Sequence, residues 1–298
     1  MAIAWVFPGQ GSQKLGMADP LMTLRGAEER FAMASEVLGR DLLAICRGEG
    51  ESNDGPTDLN DTRNTQPALF VVESLLVDEL IRQGREASLV AGHSLGELVA
   101  LYAAGVFDLE TGLTLMKRRS ESMAAAGGGA MTAVIGFDRG QLEDLVAGTE
   151  GAFIANDNSS AQVVLSGQPE AVQAVTEALT CKRAIPLAVS GAFHTPFMAE
   201  AAEGFAAELE ATPFRDARTP VLSNSDPIPT RKGDLLKTRL MQQMTTGVRW
   251  RETMTEMGNQ GIDTVVEIGP GNVLSGLAKR SMDGVTLSQI AGAGDLGL

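Results

Sequence analysis

Apolar residues along this chain fall into two rhythms, short unbroken runs and longer stretches in which they recur every three or four positions. Residues 3–7 form an unbroken run closed by Pro8-Gly9-Gln10-Gly11-Ser12, which reads as a first parallel strand with a Gly-rich exit loop. Helical spacing marks 28–47 and 66–83, with Gly48 and Gly84 as stop signals, and the polar stretch 48–65 between them is expected to be a loop. Residues 87–91 read as a short buried strand, 95–104 as a helix, and 109–126 as another, ended by Gly127-Gly128-Gly129.

The rhythm then changes. Strand-like 130–136, helical 139–147, strand-like 152–156 and 162–166, helical 169–179 and strand-like 183–188 give the order β-α-β-β-α-β of a ferredoxin-like unit. The larger α/β pattern resumes with helices over 196–211, 237–244 and 249–258, strands near Val221 and over 264–268, and a last helix over 273–280. The expected fold class is therefore α/β: a large hydrolase-like subdomain with a parallel sheet (1–128 and 190–298) interrupted by a small ferredoxin-like subdomain (129–189). A cleft between the two is where a substrate is expected.

Composition narrows the classes. A chain of 298 residues can bury a substantial core. Its net charge of −14, with no interleaving of arginines and aromatics, argues against nucleic acid as a partner. No run is long enough to span a bilayer, the N-terminus lacks the basic flank of a signal peptide, and two distant cysteines, Cys46 and Cys181, make no disulfide framework. A cytoplasmic protein without membrane association is expected. With two histidines and two cysteines outside any ligand spacing, no metal site is expected.

The chemistry is concentrated at Gly92-His93-Ser94-Leu95-Gly96, a G-x-S-x-G match placed between a strand and a helix. Two glycines allow a sharp turn that lifts Ser94 Oγ above helix N–H groups. A serine hydroxyl needs a base, and histidine is the usual one. His93 precedes Ser94 on the turn and should point away from a substrate. His194 is then the base by elimination, against the bland reading of a histidine capping the helix after Pro196.

Taken in order, Phe7-Pro8-Gly9-Gln10-Gly11-Ser12, Thr65-Gln66-Pro67-Ala68, Gly92-His93-Ser94-Leu95-Gly96-Glu97, Lys117-Arg118-Arg119, Ala192-Phe193-His194, Gln243 ahead of Val248-Arg249-Trp250, and Glu267-Ile268-Gly269-Pro270-Gly271 resemble the malonyl-CoA:acyl carrier protein transacylases across almost the whole chain. Leu98 and Gly247 depart from the common pattern, where an aromatic and a proline are frequent.

That resemblance implies a ping-pong transfer through a malonyl-serine on Ser94, with malonyl-CoA as substrate, acyl carrier protein as partner and no cofactor. It implies His194 as acid and base, oriented by an oxygen near Gln243 rather than by a carboxylate. It also implies Gln10 and Leu95 N–H as an oxyanion hole, and Arg119, Phe193, Gln66 and Met123 around the acyl group. A planar guanidinium can hold the free carboxylate of malonyl with two parallel hydrogen bonds. Without the resemblance, Arg119 reads as a solvated helix cation like Lys117 and Arg118, and Pro8–Ser12 as a tight turn. Phe193 is expected to leave no room for an α-methyl group. A single chain is the expected working unit.

Two readings of other classes share these residues: a serine thioesterase or hydrolase, and a non-catalytic carrier-binding module. Acyl carrier proteins are acidic, so docking on an acidic chain calls for a basic patch. Lys182-Arg183, Arg215 with Arg218, Arg231-Lys232 and Lys279-Arg280 are all candidates.

Overall fold

A computed structural model describes residues 2–50, 56–189 and 191–297. Its first strand, β1 (Ile3–Phe7), is the centre of a five-stranded parallel sheet completed by β2 (Leu89–Gly92), β7 (Val221–Leu222), β8 (Thr264–Ile268) and β9 (Thr286–Ile290), in the order β7-β2-β1-β8-β9. Strand side chains alternate between faces, and both faces are buried. Trp5, Phe7, Val90, Val266 and Ile268 join one large core, whereas Ala4, Val6, Leu89, Ala91 and Val265 join a second core with Trp250, Met254 and Leu274. Helices on both sides are what an all-parallel sheet requires.

The large core is organised by α3 (Thr62–Arg82), buried along most of its length, and α5 (Leu109–Ala125), with α4 (Gly96–Ala103) between the sheet and both. The second unit is β3 (Ala130–Phe137), α6 (Arg139–Gly148), β4 (Ala152–Ser159), β5 (Gln162–Gly167), α7 (Pro169–Ala178) and β6 (Cys181–Pro186). Its antiparallel sheet runs β4-β5-β3-β6, the ferredoxin-like order, over its own apolar cluster. The two units share part of the large core, which takes in Met131, Ala155 and Val164, and backbone hydrogen bonds also join them. Asp157 N–H donates to Val248 O at 2.9 Å and Val248 N–H to Ala155 O at 2.8 Å, and the Arg251 guanidinium pairs with Asp157. Gly247 fits there because a Cβ would lie 2.7 Å from Ile154 O.

Several boundaries differ from the pattern-based expectation. The helix expected over 28–47 is two, α1 (Ala27–Leu38) and α2 (Leu42–Arg47), because Gly39 adopts a left-handed cap at φ +72° and the Asp41 carboxylate caps the second. The expected loop 48–65 is shortened, since α3 begins at Thr62 under an Asp61 cap and carries Pro67 within its first turns; residues 51–55 of that loop lie outside the described residues. Strand β6 starts two residues earlier than expected. Four residues earlier is the start of the helix expected over 237–244, here α9 (Gly233–Gln242). The helix expected from residue 196 opens with a 3-10 turn, Pro196–Met198, before α8 (Ala199–Ala211).

Strand β9 has no counterpart in the sequence reading. It is a mostly exposed edge strand without an apolar run. It follows α11 (Val273–Ser281), while α10 (Trp250–Asn259) carries Trp250 into the second core. Among the described residues no helix is long and apolar enough to cross a membrane, and no cluster of His, Cys, Asp and Glu has the makings of a metal site.

Candidate active site

Strand β2 ends at Gly92 and α4 begins at Gly96, so the chain must reverse within three residues. A Cβ on Gly92 would lie 1.8 Å from Gly96 O, and one on Gly96 would lie 2.2 Å from Phe7 O. Only glycine fits either position. Ser94 sits at the apex at φ +54°, in the left-handed region that a residue with a Cβ enters at a cost of roughly 1–2 kcal/mol. His194 is likewise at φ +59°, and these two are the only non-glycine residues with positive φ among the described residues.

The structure brings the two together across a hundred residues of sequence. Ser94 Oγ is 2.8 Å from His194 Nε2, and His194 Nδ1 is 2.9 Å from the backbone carbonyl of Gln243. That carbonyl accepts only, so Nδ1 carries the proton and Nε2 is left with its lone pair toward Ser94. Burial, with Arg119 nearby, pushes the His194 pKa down to about 3. The imidazole is therefore neutral at physiological pH, the form in which it can accept a proton. The oxygen that orients it belongs to the main chain of Gln243, not to its side chain.

Arg119 extends from α5 into this centre and is completely buried. Its Nη2 donates to Ser94 Oγ at 3.0 Å and to Gln243 Oε1 at 2.9 Å, Nε reaches the same Oε1 at 3.2 Å, and Nη1 donates to Gln66 Oε1 at 2.6 Å. Burial lowers its pKa to about 10, so it remains a cation. Lys117 and Arg118 on the same helix bond backbone carbonyls of Val37 and Gly204 instead. Gln66 and Met123 lie behind the guanidinium, with Gln66 Nε2 3.3 Å from Met123 Sδ and both residues buried.

Gln10 follows β1 in the Gly-rich loop, where its side chain bonds Thr62 Oγ1. Its N–H and that of Leu95, at the entrance to α4, have no acceptor among the described residues. Phe193 is buried and lines a cavity of about 470 Å³ together with Thr62, Arg63, Ala124 and Leu187. His93 turns away from this centre, its Nε2 2.8 Å from Asn158 Oδ1 and its ring against Trp250.

Two residues of this centre have no role assigned from the sequence, one of them, Glu97, read only as part of the turn motif. Asn224, just beyond β7, accepts from Ser94 N–H through Oδ1 at 2.7 Å and donates through Nδ2 to Gly92 O at 2.6 Å, clamping both ends of the turn. Glu97, in the first turn of α4, accepts from Asn224 N–H and from Gln243 Nε2. A polar residue in Ser223-Asn224-Ser225-Asp226 looks like ordinary loop sequence, and nothing local ties it to a serine 130 positions away.

The acyl transferase domain profile matches residues 4–294. The chain is 49% identical to the malonyl CoA-acyl carrier protein transacylase of Synechocystis sp., covering 99% of both chains, and 40% identical to that of Escherichia coli K12, covering 96% of this chain and 95% of the other. The Synechocystis crystal structure superposes with a TM-score of 0.94 over 100% of this chain and 99% of its own. A malonyl-transacylase of a type II polyketide synthase, solved in complex with its acyl-carrier protein, is 36% identical and superposes at 0.92 over 99% and 98% of the two chains. With a serine, a buried imidazole and a buried guanidinium converging as described, the chain belongs to the acyl transferase family, among its malonyl CoA-acyl carrier protein transacylases.

Proposed function

We propose that the protein moves a malonyl group from malonyl-CoA to the phosphopantetheine thiol of an acyl carrier protein through a malonyl ester on Ser94, as a step of fatty acid synthesis. The observation that carries this reading is the convergence on Ser94 Oγ of a neutral imidazole at 2.8 Å and a buried guanidinium at 3.0 Å. The first supplies a base. The second favours the developing alkoxide and supplies a charge for a free carboxylate.

In the first half-reaction His194 Nε2 takes the hydroxyl proton as Ser94 Oγ attacks the thioester carbonyl. The tetrahedral oxyanion is met by the N–H groups of Gln10 and Leu95, and their lack of an acceptor among the described residues supports that role. Collapse breaks the carbon–sulfur bond, and His194 returns the proton to the departing CoA thiolate. Arg119 meets the malonyl carboxylate as the substrate binds, and once Oγ is an ester oxygen it accepts poorly, which frees Nη2 for a second hydrogen bond to that carboxylate. In the second half-reaction the carrier thiol gives its proton to His194 and attacks the ester, regenerating Ser94. Gln66 and Gln243 keep the guanidinium in place throughout, and Phe193 fills the space beside the α-carbon.

A hydrolase would have the same turn, but here a carbonyl rather than a carboxylate orients the base. The cytoplasm suits the proposed chemistry, since its reducing conditions keep carrier and CoA thiols free. The test is intact mass spectrometry after brief exposure to malonyl-CoA. One malonyl group per chain is expected, absent in Ser94→Ala and discharged by holo acyl carrier protein. Rapid release of free malonate without any thiol acceptor would replace this reading with a hydrolase, and absence of the adduct would leave a binding module.

A further inference from the structure

The helix that follows the nucleophile turn carries a carboxylate, Glu97, in its first turn, and the fold seals it from solvent completely. Arg119 is sealed equally well, yet among the described residues no carboxylate lies within ion-pair distance of it. A buried cation needs a counter-charge. The link between the two is the side-chain amide of Gln243. Its Oε1 accepts from Arg119 Nε and Nη2, and its Nε2 donates to Glu97 Oε2 at 2.7 Å and to Ser94 O at 2.8 Å.

We propose that Glu97 is a positioning residue that sets the acyl-group preference of the enzyme, acting on Arg119 through the Gln243 amide; the proposal rests on the reading of Arg119 as the partner of the malonyl carboxylate. Glu97 does two things. An acceptor at that point obliges Gln243 to present its nitrogen to Glu97 and its oxygen to the guanidinium, which fixes the fork beside Ser94. Its negative charge also offsets part of the field of Arg119. A malonyl carboxylate arriving at Arg119 is then the second anion beside one cation, held more weakly than by a bare guanidinium.

The two bonds Glu97 accepts both end on Oε2, while Oε1 has no hydrogen-bond partner among the described residues. Glutamine can therefore take the same place, its oxygen at Oε2 and its amide nitrogen where Oε1 stands. Glu97→Gln keeps the shape and the two accepted bonds and removes only the charge. Glu97→Asp keeps the charge and withdraws it by one methylene.

The experiment compares acylation of Ser94 by malonyl-CoA and by acetyl-CoA in the unaltered protein and both variants, followed by intact mass, with thermal unfolding as a check of the fold. A unit charge about 10 Å away, at the effective dielectric of about 20 that suits protein sites, shifts anion occupancy by about tenfold or more. The malonyl-to-acetyl rate ratio is expected to rise about tenfold in Glu97→Gln, and to fall several-fold in Glu97→Asp, where the charge stays but the bond that fixes Gln243 and the guanidinium is lost. A ratio unchanged or lowered in Glu97→Gln, or shifted equally in both variants, overturns the proposal. If Glu97→Gln does not fold, a ratio raised or unchanged in Glu97→Asp overturns it alone. Absence of any malonyl adduct on the unaltered protein defeats the functional reading itself and this proposal with it.

Discussion

Replacing Asn224 with alanine separates the turn that carries Ser94 from the loop that clamps it. Two side-chain hydrogen bonds disappear, from Ser94 N–H at 2.7 Å and to Gly92 O at 2.6 Å, while the backbone bond from residue 224 to Glu97 stays. Each orphaned buried backbone group costs about 1–3 kcal/mol, so the variant should lose roughly 2–6 kcal/mol, a large share of the ~5–15 kcal/mol typical of a folded domain. At about 2–4 °C per kcal/mol for a chain somewhat smaller than this one, a fall in Tm of the order of 10 °C is expected. Relief of the φ +54° conformation at Ser94 would then carry Oγ away from His194. Malonyl-enzyme formation, read as the pre-steady-state burst on malonyl-CoA, should slow by about 10- to 100-fold, a loss of ~1.4–2.8 kcal/mol of transition-state stabilisation. Wild-type burst rate together with an unshifted Tm would refute the clamp.

Further outcomes follow from the same geometry. Arg119→Ala should lose malonyl transfer by about 10²-fold or more while acetyl transfer falls far less, since a charge-assisted pair is worth about 1.5–3 kcal/mol per bond; an unchanged rate of malonyl-enzyme formation would remove Arg119 from the site. His194 titrates at about 3 in the fold against 6.5 as a free side chain, so the unfolded chain binds the extra proton between those values and stability drops as pH falls through that window, by up to roughly 1.4 kcal/mol per pH unit. Relative to the wild type, His194→Asn should flatten urea-unfolding stability over pH 4–6, and parallel curves would contradict it. Phe193→Ser should admit methylmalonyl-CoA as an acyl donor, measured against malonyl-CoA by the same mass assay; an unaltered preference would reduce Phe193 to core packing.

How much of this was legible in the sequence depends on how local each interaction is. Gly92, Ser94 and Gly96 could be read because strand, turn and helix are consecutive in the chain, from Leu89 to Ala103, and the two glycines are demanded by contacts under 2.5 Å. The ferredoxin-like unit was legible for the same reason, each element being consecutive with the next. Strand β9 was not, because a mostly exposed edge strand has no apolar run to announce it. The break between α1 and α2 was written in Gly39 and Asp41, but the apolar spacing on either side masked it. Arg119 has the same local surroundings as Lys117 and Arg118, so its inward direction came only from the family resemblance. Asn224 and Glu97 act across more than a hundred residues of chain, where no spacing rule applies.

The two side chains proposed to exchange the proton hang from the only non-glycine residues with left-handed backbones among the described residues. Such postures survive only while their surroundings enforce them. Competence and cohesion are accordingly separate properties of this molecule: gentle warming should silence turnover while circular dichroism still reports intact helices and sheet, and cooling should restore it without any refolding step.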